Sequence, residues 1–261
     1  MNSVDMEKTY HFFNNHLRST ILPFWIDNAI DTQYGGVFTC FNNNGDTLLS
    51  TDKYVWSQGR FIWVLSKLAE LYPEQNKKYL EIASSIVDFL VSHSFLSDGS
   101  CAFLLTRTGE LKETAPGTGY DSSIYVDFFV VLGFSKFAAM TGNKDILERA
   151  YNLYKYIQRK IEKGKFRTEP YPIPHGYRTH GIPMIALNTG YELCNTFEIF
   201  NDSRAEEIFN SCNMYAKEIF DNCVHNNQII EMVGTNGQLI DSIIGSYINP
   251  GHTFEDAWFI I

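Results

Sequence analysis

His252 and Glu255 stand at positions i and i+3 in the stretch NPGHTFEDAWF, close to the end of the sequence. On a helix, that spacing places both side chains on one face, where the carboxylate can hydrogen-bond the imidazole and orient it. Histidine titrates near neutral pH, so an oriented His252 is suited to remove or return a proton. An ion pair at a helix start, without any catalytic role, accounts for the same spacing equally well.

Four further residues stand out within stretches that are otherwise apolar: Trp56 and Arg60 in YVWSQGRFIW, Asp127 in SSIYVDFF and His180 in YRTHGIPM. Burying a polar group costs free energy unless it is paired or functional. Structural interpretations are an ion-pair partner for Arg60, a buried acceptor that holds loops for Asp127, and a satisfied core histidine for His180. Trp56 can simply fill the core. If these residues instead meet around one cavity with His252, they form a site suited to a polyol.

Several classes of protein lack support in the sequence. No HExxH, His-x3-His or CxxC spacing occurs, so no metal site is predicted. Neither GxGxxG nor GxxxxGK[ST] occurs, so we expect no nucleotide cofactor. The net charge of −9 and the lack of a basic run argue against nucleic-acid binding. With an odd number of cysteines, no signal peptide and no apolar window of about eighteen residues, we expect a cytoplasmic protein without a membrane span.

Helical patterns account for most of the chain. Apolar periodicity and end signals predict about eight helices, near residues 4–28, 54–71, 76–93, 123–141, 143–161, 181–199, 203–222 and 252 to the end. Charge-rich helices, such as 143–161, alternate with nearly neutral ones, such as 123–141 and 181–199. Because a helix that is apolar on most sides must be covered on most sides, the neutral helices are predicted to form an inner layer. Helical hairpins of this kind build either an open solenoid or a closed α/α barrel.

Three long connections favour the barrel. Residues 35–50, 99–113 and 226–241 alternate apolar and polar residues around turn signals, which predicts β-hairpins. Each lies between a charged helix and the next neutral one, so all three decorate the end where the inner helices start. Elaborate loops at one rim are typical of an enzyme barrel. We therefore predict a single domain, residues 1–261, with an all-α barrel fold and short β-hairpins at one rim.

Several segments resemble the N-acylglucosamine 2-epimerase family. NPGHTFEDAWF is similar to the family's PGHxxExxWF signature, and FWIDNAIDTQYGGVFTCFNNNGD resembles its N-terminal part. VWSQGRFIWVLSKL, SSIYVDFFVVLGFSKFAAMTGN and HGIPMIALN resemble further segments in the same order. The resemblance, which covers essentially the whole chain, implies an (α/α)6 barrel of six helical hairpins. It also implies a sugar 2-epimerase or aldose–ketose isomerase that moves a proton through an enediolate-like intermediate, on unphosphorylated sugars and without a redox cofactor.

The resemblance implies roles for individual residues. His252 corresponds to one of two catalytic histidines, and Glu255 to the carboxylate that supports it. Arg60 corresponds to the arginine that contacts substrate oxygens near the reacting carbonyl, and Trp56 to a residue of the sugar pocket. His180 corresponds to a position that varies between branches. The form GIPMIALN looks more like the N-acylglucosamine branch than like the cellobiose epimerases.

The sequence departs from the family near its end. It contains about eight of the twelve helices of such a barrel, and no residue matches the second catalytic histidine. Its last residues, DAWFII, include no C-capping glycine and no polar exit. We therefore expect an incomplete barrel with impaired activity. The alternatives are a non-catalytic subunit that completes a barrel with a partner or a second copy, and an (α/α)6 glycoside hydrolase with Asp127 and Glu255 as its carboxylates.

Overall fold

Helices make up most of the fold in the computed structural model, which describes residues 3–261. The first helical element joins α1 (Ser3–His16) to α2 (Leu22–Asn28) through a π-helical turn, Leu17–Ile21. The others are α3 (Val55–Leu71), α4 (Asn76–His93), α5 (Ile124–Thr141), α6 (Lys144–Glu162), α7 (Gly181–Ile199), α8 (Arg204–Asn222) and α9 (Pro250–Ile260). These bounds confirm the predicted helices to within two residues at each end.

Helix ends follow the local chemistry of the sequence. Gly142 closes α5 in a left-handed conformation (φ 72°), and the side chain of Asn143 caps α6 by accepting the N–H of Ile146 at 3.1 Å. At α9, the side chain of Asn249 accepts the N–H groups of Gly251 and His252, and Pro250 occupies the first turn. The cap of α9 therefore fixes the start of the helix on which His252 lies.

The helices form an inner and an outer layer, as predicted. α3, α5, α7 and α9 contact one another in that order, while α4, α6 and α8 pack behind α3, α5 and α7. α5 and α7 are buried on nearly all sides, whereas α6 buries one apolar stripe and exposes the rest. By length and composition α5 could span a membrane, but 78% of it is buried within the fold.

Two glycines allow α3 and α5 to approach closely. A Cβ atom added at Gly59 would lie 2.3 Å from the backbone oxygen of Phe129, and one added at Gly133 would lie 2.3 Å from that of Gly59. Larger residues at either position would force the helices apart. The two glycines therefore set the spacing of the inner helices that carry Arg60 and Phe129.

Short strands gather where the inner helices begin. β1 (Cys40–Phe41) pairs with β2 (Leu48–Ser50), and β4 (Leu104–Leu105) pairs with both β3 (Lys53–Tyr54) and β5 (Leu111–Lys112). The first two predicted hairpins are thus confirmed. β3 runs directly into α3, so the sheet lies at the entrance of an inner helix.

The third predicted hairpin, within 226–241, is wrong in its pairing. The hairpin lies earlier in the chain than predicted and joins β7 (Val224–His225) to β8 (Gln228–Ile229). Its turn residues, Asn226 and Asn227, adopt the positive φ that a tight turn needs. β9 (Met232–Gly234) then pairs with β6 (Tyr177–Thr179), the strand that leads into α7. This pairing brings Glu231 beside His180, since the backbone N–H of His180 donates to the oxygen of Glu231 at 2.9 Å.

Candidate functional site

A concave cavity of about 840 Å³ opens across the four inner helices. Its lining residues come from the first half of α3, α5 and α7, from α9, and from the loops that precede them. Large aromatic rings dominate the wall: Trp56, Trp63, Phe129, Trp258 and Phe259. Flat apolar rings among a few polar groups are typical of a small-molecule site, and they suit the apolar faces of a sugar.

The structure brings four of the six residues predicted from the sequence to this cavity: Trp56, Arg60, His252 and Glu255. The guanidinium of Arg60 lies over the ring of Phe129, 3.7 Å from its centre. Partial burial lowers the pKa of Arg60, and the nearby carboxylate of Glu255 counteracts part of this effect. A cation held by stacking, with its N–H groups still available, is suited to bind an anionic oxygen.

His252 is oriented by a residue that the sequence did not indicate. Its Nδ1 lies 2.8 Å from Oε2 of Glu231, so the orienting carboxylate is Glu231 and not Glu255 as expected. Because Glu231 is ionised, Nδ1 carries the proton and Nε2 is the basic nitrogen. The side chain of His252 remains 35% exposed on the cavity wall. The hydrogen bond that His252 donates to Glu231 raises the pKa of His252 despite partial burial, and the charge of Glu255 adds to the effect.

His180 lies behind the cavity wall. It is fully buried, with Nε2 2.6 Å from Oδ2 of Asp256 and Nδ1 3.5 Å from Oε2 of Glu231. Burial alone would lower the pKa of His180, but the Asp256 hydrogen bond and the charge of Glu231 raise it to about 9. In this arrangement His180 faces the two carboxylates, and it does not line the cavity.

Asp127 also lies outside the cavity lining. Its buried Oδ1 accepts the backbone N–H of Cys101 at 2.7 Å, which ties the loop before β4 to α5. Burial raises the pKa of Asp127 to about 7, although this hydrogen bond opposes the effect. Asp127 and Glu255 therefore do not face each other across the cavity, as the carboxylates of a glycoside hydrolase would.

Glu231 joins the two histidines. Burial would raise the pKa of its carboxyl group, but the nearby imidazole of His180, the hydrogen bond donated by His252 and the charges of both rings bring it to about 2. The ligand-type atoms of His180, Glu231 and His252 lie within 4.8 Å of one another, a donor set that also suits a transition metal. The sequence predicted no metal site, because these residues are far apart in the chain. Here Oε2 of Glu231 faces both imidazoles, hydrogen-bonded to Nδ1 of His252 and 3.5 Å from Nδ1 of His180.

Comparison with known proteins decides the family. The sequence profile of N-acylglucosamine 2-epimerase (GlcNAc 2-epimerase) matches residues 36–261. The chain belongs to the N-acylglucosamine 2-epimerase family. The rat N-acylglucosamine 2-epimerase (Rattus norvegicus) is 25% identical over 257 residues, covering 93% of this chain and 57% of the rat protein. The resemblance seen in the sequence is thus confirmed.

Solved structures share the fold of this family member. The cellobiose 2-epimerase of Bacillus thermoamylovorans matches 97% of this chain and 66% of its own, with a TM-score of 0.77 and 17% identity. A D-mannose isomerase matches 95% of this chain and 62% of its own, with a TM-score of 0.71 and 20% identity. The fold is that of the (α/α)6 barrels. The chain spans just over half the length of the rat enzyme.

Two site residues of this family member escaped the sequence analysis. Glu231 is the single charge in the apolar run IIEMV, a signal of the same kind as the one that indicated Asp127. Asp256 stands four positions after His252, so it shares the His252 face of α9 and reaches His180. The sequence marks both residues as unusual, but it does not indicate which side chains they hydrogen-bond.

Proposed function

We propose that this chain provides one side of the active site of a sugar 2-epimerase or aldose–ketose isomerase. The observation that carries the proposal is the state of His252. Glu231 binds its Nδ1, which leaves a basic Nε2 on the wall of an aromatic cavity that also contains Arg60. The substrate is an unphosphorylated sugar in its open-chain form, and membership of the N-acylglucosamine 2-epimerase family supports that assignment.

The first step is removal of the proton at C2 of the sugar. Nε2 of His252 takes this proton, and the electron pair of the C–H bond moves into an enediolate whose negative charge lies on the carbonyl oxygen. Arg60 stabilises that oxygen as its charge develops. Its guanidinium already lies against Phe129, so little rearrangement is needed at the moment of reaction.

The second step decides the product. Return of a proton to the opposite face of C2 gives the 2-epimer, whereas its return to C1 gives the ketose. Two-face transfer is most easily performed by two groups on opposite sides of the substrate. Among the residues described here, His252 is the only histidine of the cavity lining. We therefore expect the 261-residue chain by itself to perform the first step better than the complete reaction.

Exchange with solvent tests this function even if net turnover is slow. The chain is incubated in D2O with N-acetylmannosamine, mannose or cellobiose, and deuterium at C2 is measured by NMR. We expect exchange with one of these sugars, and its loss in His252→Gln. The control is His225→Gln, since His225 bonds the oxygen of Asn222 outside the cavity. Exchange with none of the sugars, or equal exchange in both variants, contradicts the proposal.

We also infer that, when the 261-residue chain is studied by itself, a partner or a second copy covers the open side of its inner layer with further helices. Phe254 and Trp258 of α9 are 77% and 65% exposed, and Val64 of α3 is exposed nearby on the cavity side. Apolar surface of this kind is typical of an interaction site. Light scattering at micromolar concentration distinguishes a monomer from a dimer or a larger assembly. A monodisperse monomer that binds no apolar dye contradicts this inference.

The five cysteines are unpaired in the described structure, which supports a reducing, cytoplasmic location. Cys101, Cys194, Cys212 and Cys223 are buried among apolar neighbours and act as small core residues. Fractionation of cells that produce the protein checks this location. Finding the protein in the fraction of an oxidising compartment would contradict a cytoplasmic location.

A further inference from the structure

Helix α9 is held in place by an unusual residue. Among the side chains of α9, only Asp256 is fully buried, although this helix also carries Phe254, Trp258 and Phe259. Burying a carboxylate is unfavourable unless a partner compensates for it. The partner is His180, whose Nε2 lies 2.6 Å from Oδ2 of Asp256. A charged pair therefore anchors the helix on which His252 lies.

Glu231 faces two imidazoles that compete for one oxygen. Its Oε2 lies 2.8 Å from Nδ1 of His252 but 3.5 Å from Nδ1 of His180. The second distance is too long for a well-formed hydrogen bond, and Nδ1 of His180 has no other partner in the described structure. Glu231 therefore forms its hydrogen bond with His252 and not with the nearby buried ring of His180.

Asp256 explains this preference. The carboxylate of Asp256 binds Nε2 of His180 and neutralises the positive charge of that ring. A second counterion therefore stabilises His180 less than the first one does. We propose that Asp256 is a positioning residue: by holding His180, it leaves Glu231 bound to His252 and so keeps Nε2 of His252 directed at the cavity. The proposal rests on the function proposed above for His252, but its structural part can be tested without any substrate.

The charges around the cluster agree with this role. Asp256 and protonated His180 cancel, which leaves the single negative charge of Glu231 facing His252. When Nε2 accepts a proton, the buried group becomes neutral overall, so the proton is taken up without creating an uncompensated charge. The remaining charged groups nearby are Glu255 and Arg60 on the cavity side, and the Arg178–Glu218 pair behind β6.

Loss of Asp256 has a defined consequence. In Asp256→Asn, a charged His180 retains only Glu231 as its counterion, and the 3.5 Å gap between them can close. Glu231 is then shared between the imidazoles, and the ring of His252 is no longer held in one tautomer. In the double variant Asp256→Asn with His180→Gln, no competing cation remains, and Glu231 should return to His252.

NMR with 15N-labelled histidine tests this directly in the 261-residue protein. The signals of His252 are identified by comparison with His252→Gln. We expect neutral His252 to carry its proton on Nδ1 in the wild type, to populate both tautomers in Asp256→Asn, and to regain the wild-type state in the double variant. The matched control is Asp127→Asn, which removes a buried carboxylate from another inner helix and should leave His252 unchanged.

The double variant distinguishes a role of Asp256 in positioning His252 from a role in stabilising α9 alone. If Asp256 only stabilises α9, the double variant should be as disturbed as the single one, and that result overturns the proposal. An unchanged His252 in Asp256→Asn overturns it as well. If that variant does not fold, the wild type decides, because the proposal requires His180 to stay protonated at both nitrogens while His252 titrates. A neutral His180 at pH 7 would be incompatible with it.

Activity supplies an independent readout. The rate of C2 exchange in Asp256→Asn should fall by about 10- to 100-fold, within the factor that a general base contributes, with the KM for the sugar changed less. The double variant should recover most of this rate. If the wild type shows no exchange with any sugar, the proposed function fails, while the NMR result still decides whether Asp256 positions His252.

Discussion

Among the described residues, the buried charged cluster around Lys53 and the one around His180 differ in how completely their polar atoms are paired. At the outer rim, the fully buried Nζ of Lys53 donates to Oδ2 of Asp31 at 3.0 Å and to the backbone oxygens of Gly35 and Arg107 at 2.6 and 2.8 Å. Asp31 in turn accepts two hydrogen bonds from the side chain of Arg107. Behind the cavity, in contrast, Nδ1 of His180 and Oδ1 of Asp256 have no partner among the described residues.

The difference separates a structural cluster from a functional one. Burial lowers the pKa of Lys53 while its hydrogen bond to Asp31 opposes the effect, and the hydrogen bond to Asp31 raises the pKa of Arg107. The acceptors of both side chains are fixed by the chain around them. The cavity cluster instead contains two histidines, side chains that can exchange protons, and it reaches the surface of the cavity through His252. Incomplete pairing of buried polar atoms has a free-energy cost, and it is found where a group must be free to react or move.

The largest expected effect is a loss of activity from a substitution in the cavity cluster that leaves the fold intact. His252→Gln should lower C2 exchange by about two to four orders of magnitude, since it removes the proposed base. Because His252 is 35% exposed, the midpoint of urea unfolding should change little. Retention of exchange in a folded variant would show that another residue removes the proton.

The rim cluster should behave in the opposite way. Asp31→Asn leaves the buried charge of Lys53 without its counterion, which should lower the free energy of unfolding by about 3 to 5 kcal/mol. Urea denaturation measures the loss, and the 15N signals of His252 report on the cavity. A changed His252 tautomer in a folded Asp31→Asn protein would mean that the two clusters are coupled.

The clusters should also differ in their response to pH. The pKa of His180 is raised from 6.5 to about 9, so its contribution to stability is complete below pH 6.5 and is lost as the pH rises towards 9. We expect a loss of about 1 to 3 kcal/mol over this range. The pKa of Asp31 is shifted well below 3.8, so its contribution does not change there. The slope of stability against pH should flatten in His180→Gln, and an unchanged slope would exclude His180 as its source.

The smallest effect concerns Asp127, a buried carboxylate outside both clusters. Burial raises its pKa from 3.8 to about 7, so its contribution to stability falls as the pH rises through that range. Asn keeps the acceptor for the N–H of Cys101 and carries no charge. At pH 8, Asp127→Asn should therefore leave the free energy of unfolding unchanged or raise it by up to about 1 kcal/mol. A clear loss in urea denaturation would show that the ionised form is needed.

Much of the fold could be predicted because its signals are local. Gly142 and Asn143 end one helix and begin the next through contacts within a few residues, and the neutral composition of α5 and α7 predicted their place in the inner layer. The third hairpin could not be predicted in the same way. Two turn signals, Asn226–Asn227 and Asn236–Gly237, compete in that segment, and the pairing of β9 with distant β6 decides between them.

The sequence alone determined which residue types reach the cavity. Trp56, Arg60, His252 and Glu255 lie near the starts of inner helices, so parallel inner helices were sufficient to bring them together. The tertiary structure alone decided the hydrogen-bond partners. Glu231 and His252 are 21 residues apart and His180 and Asp256 are 76 apart. The pairing of β6 with β9 places Glu231, and the contact of α9 with α7 places His252 and Asp256. A helix face is set by local geometry, whereas the partner of a buried charge depends on what the rest of the chain places beside it.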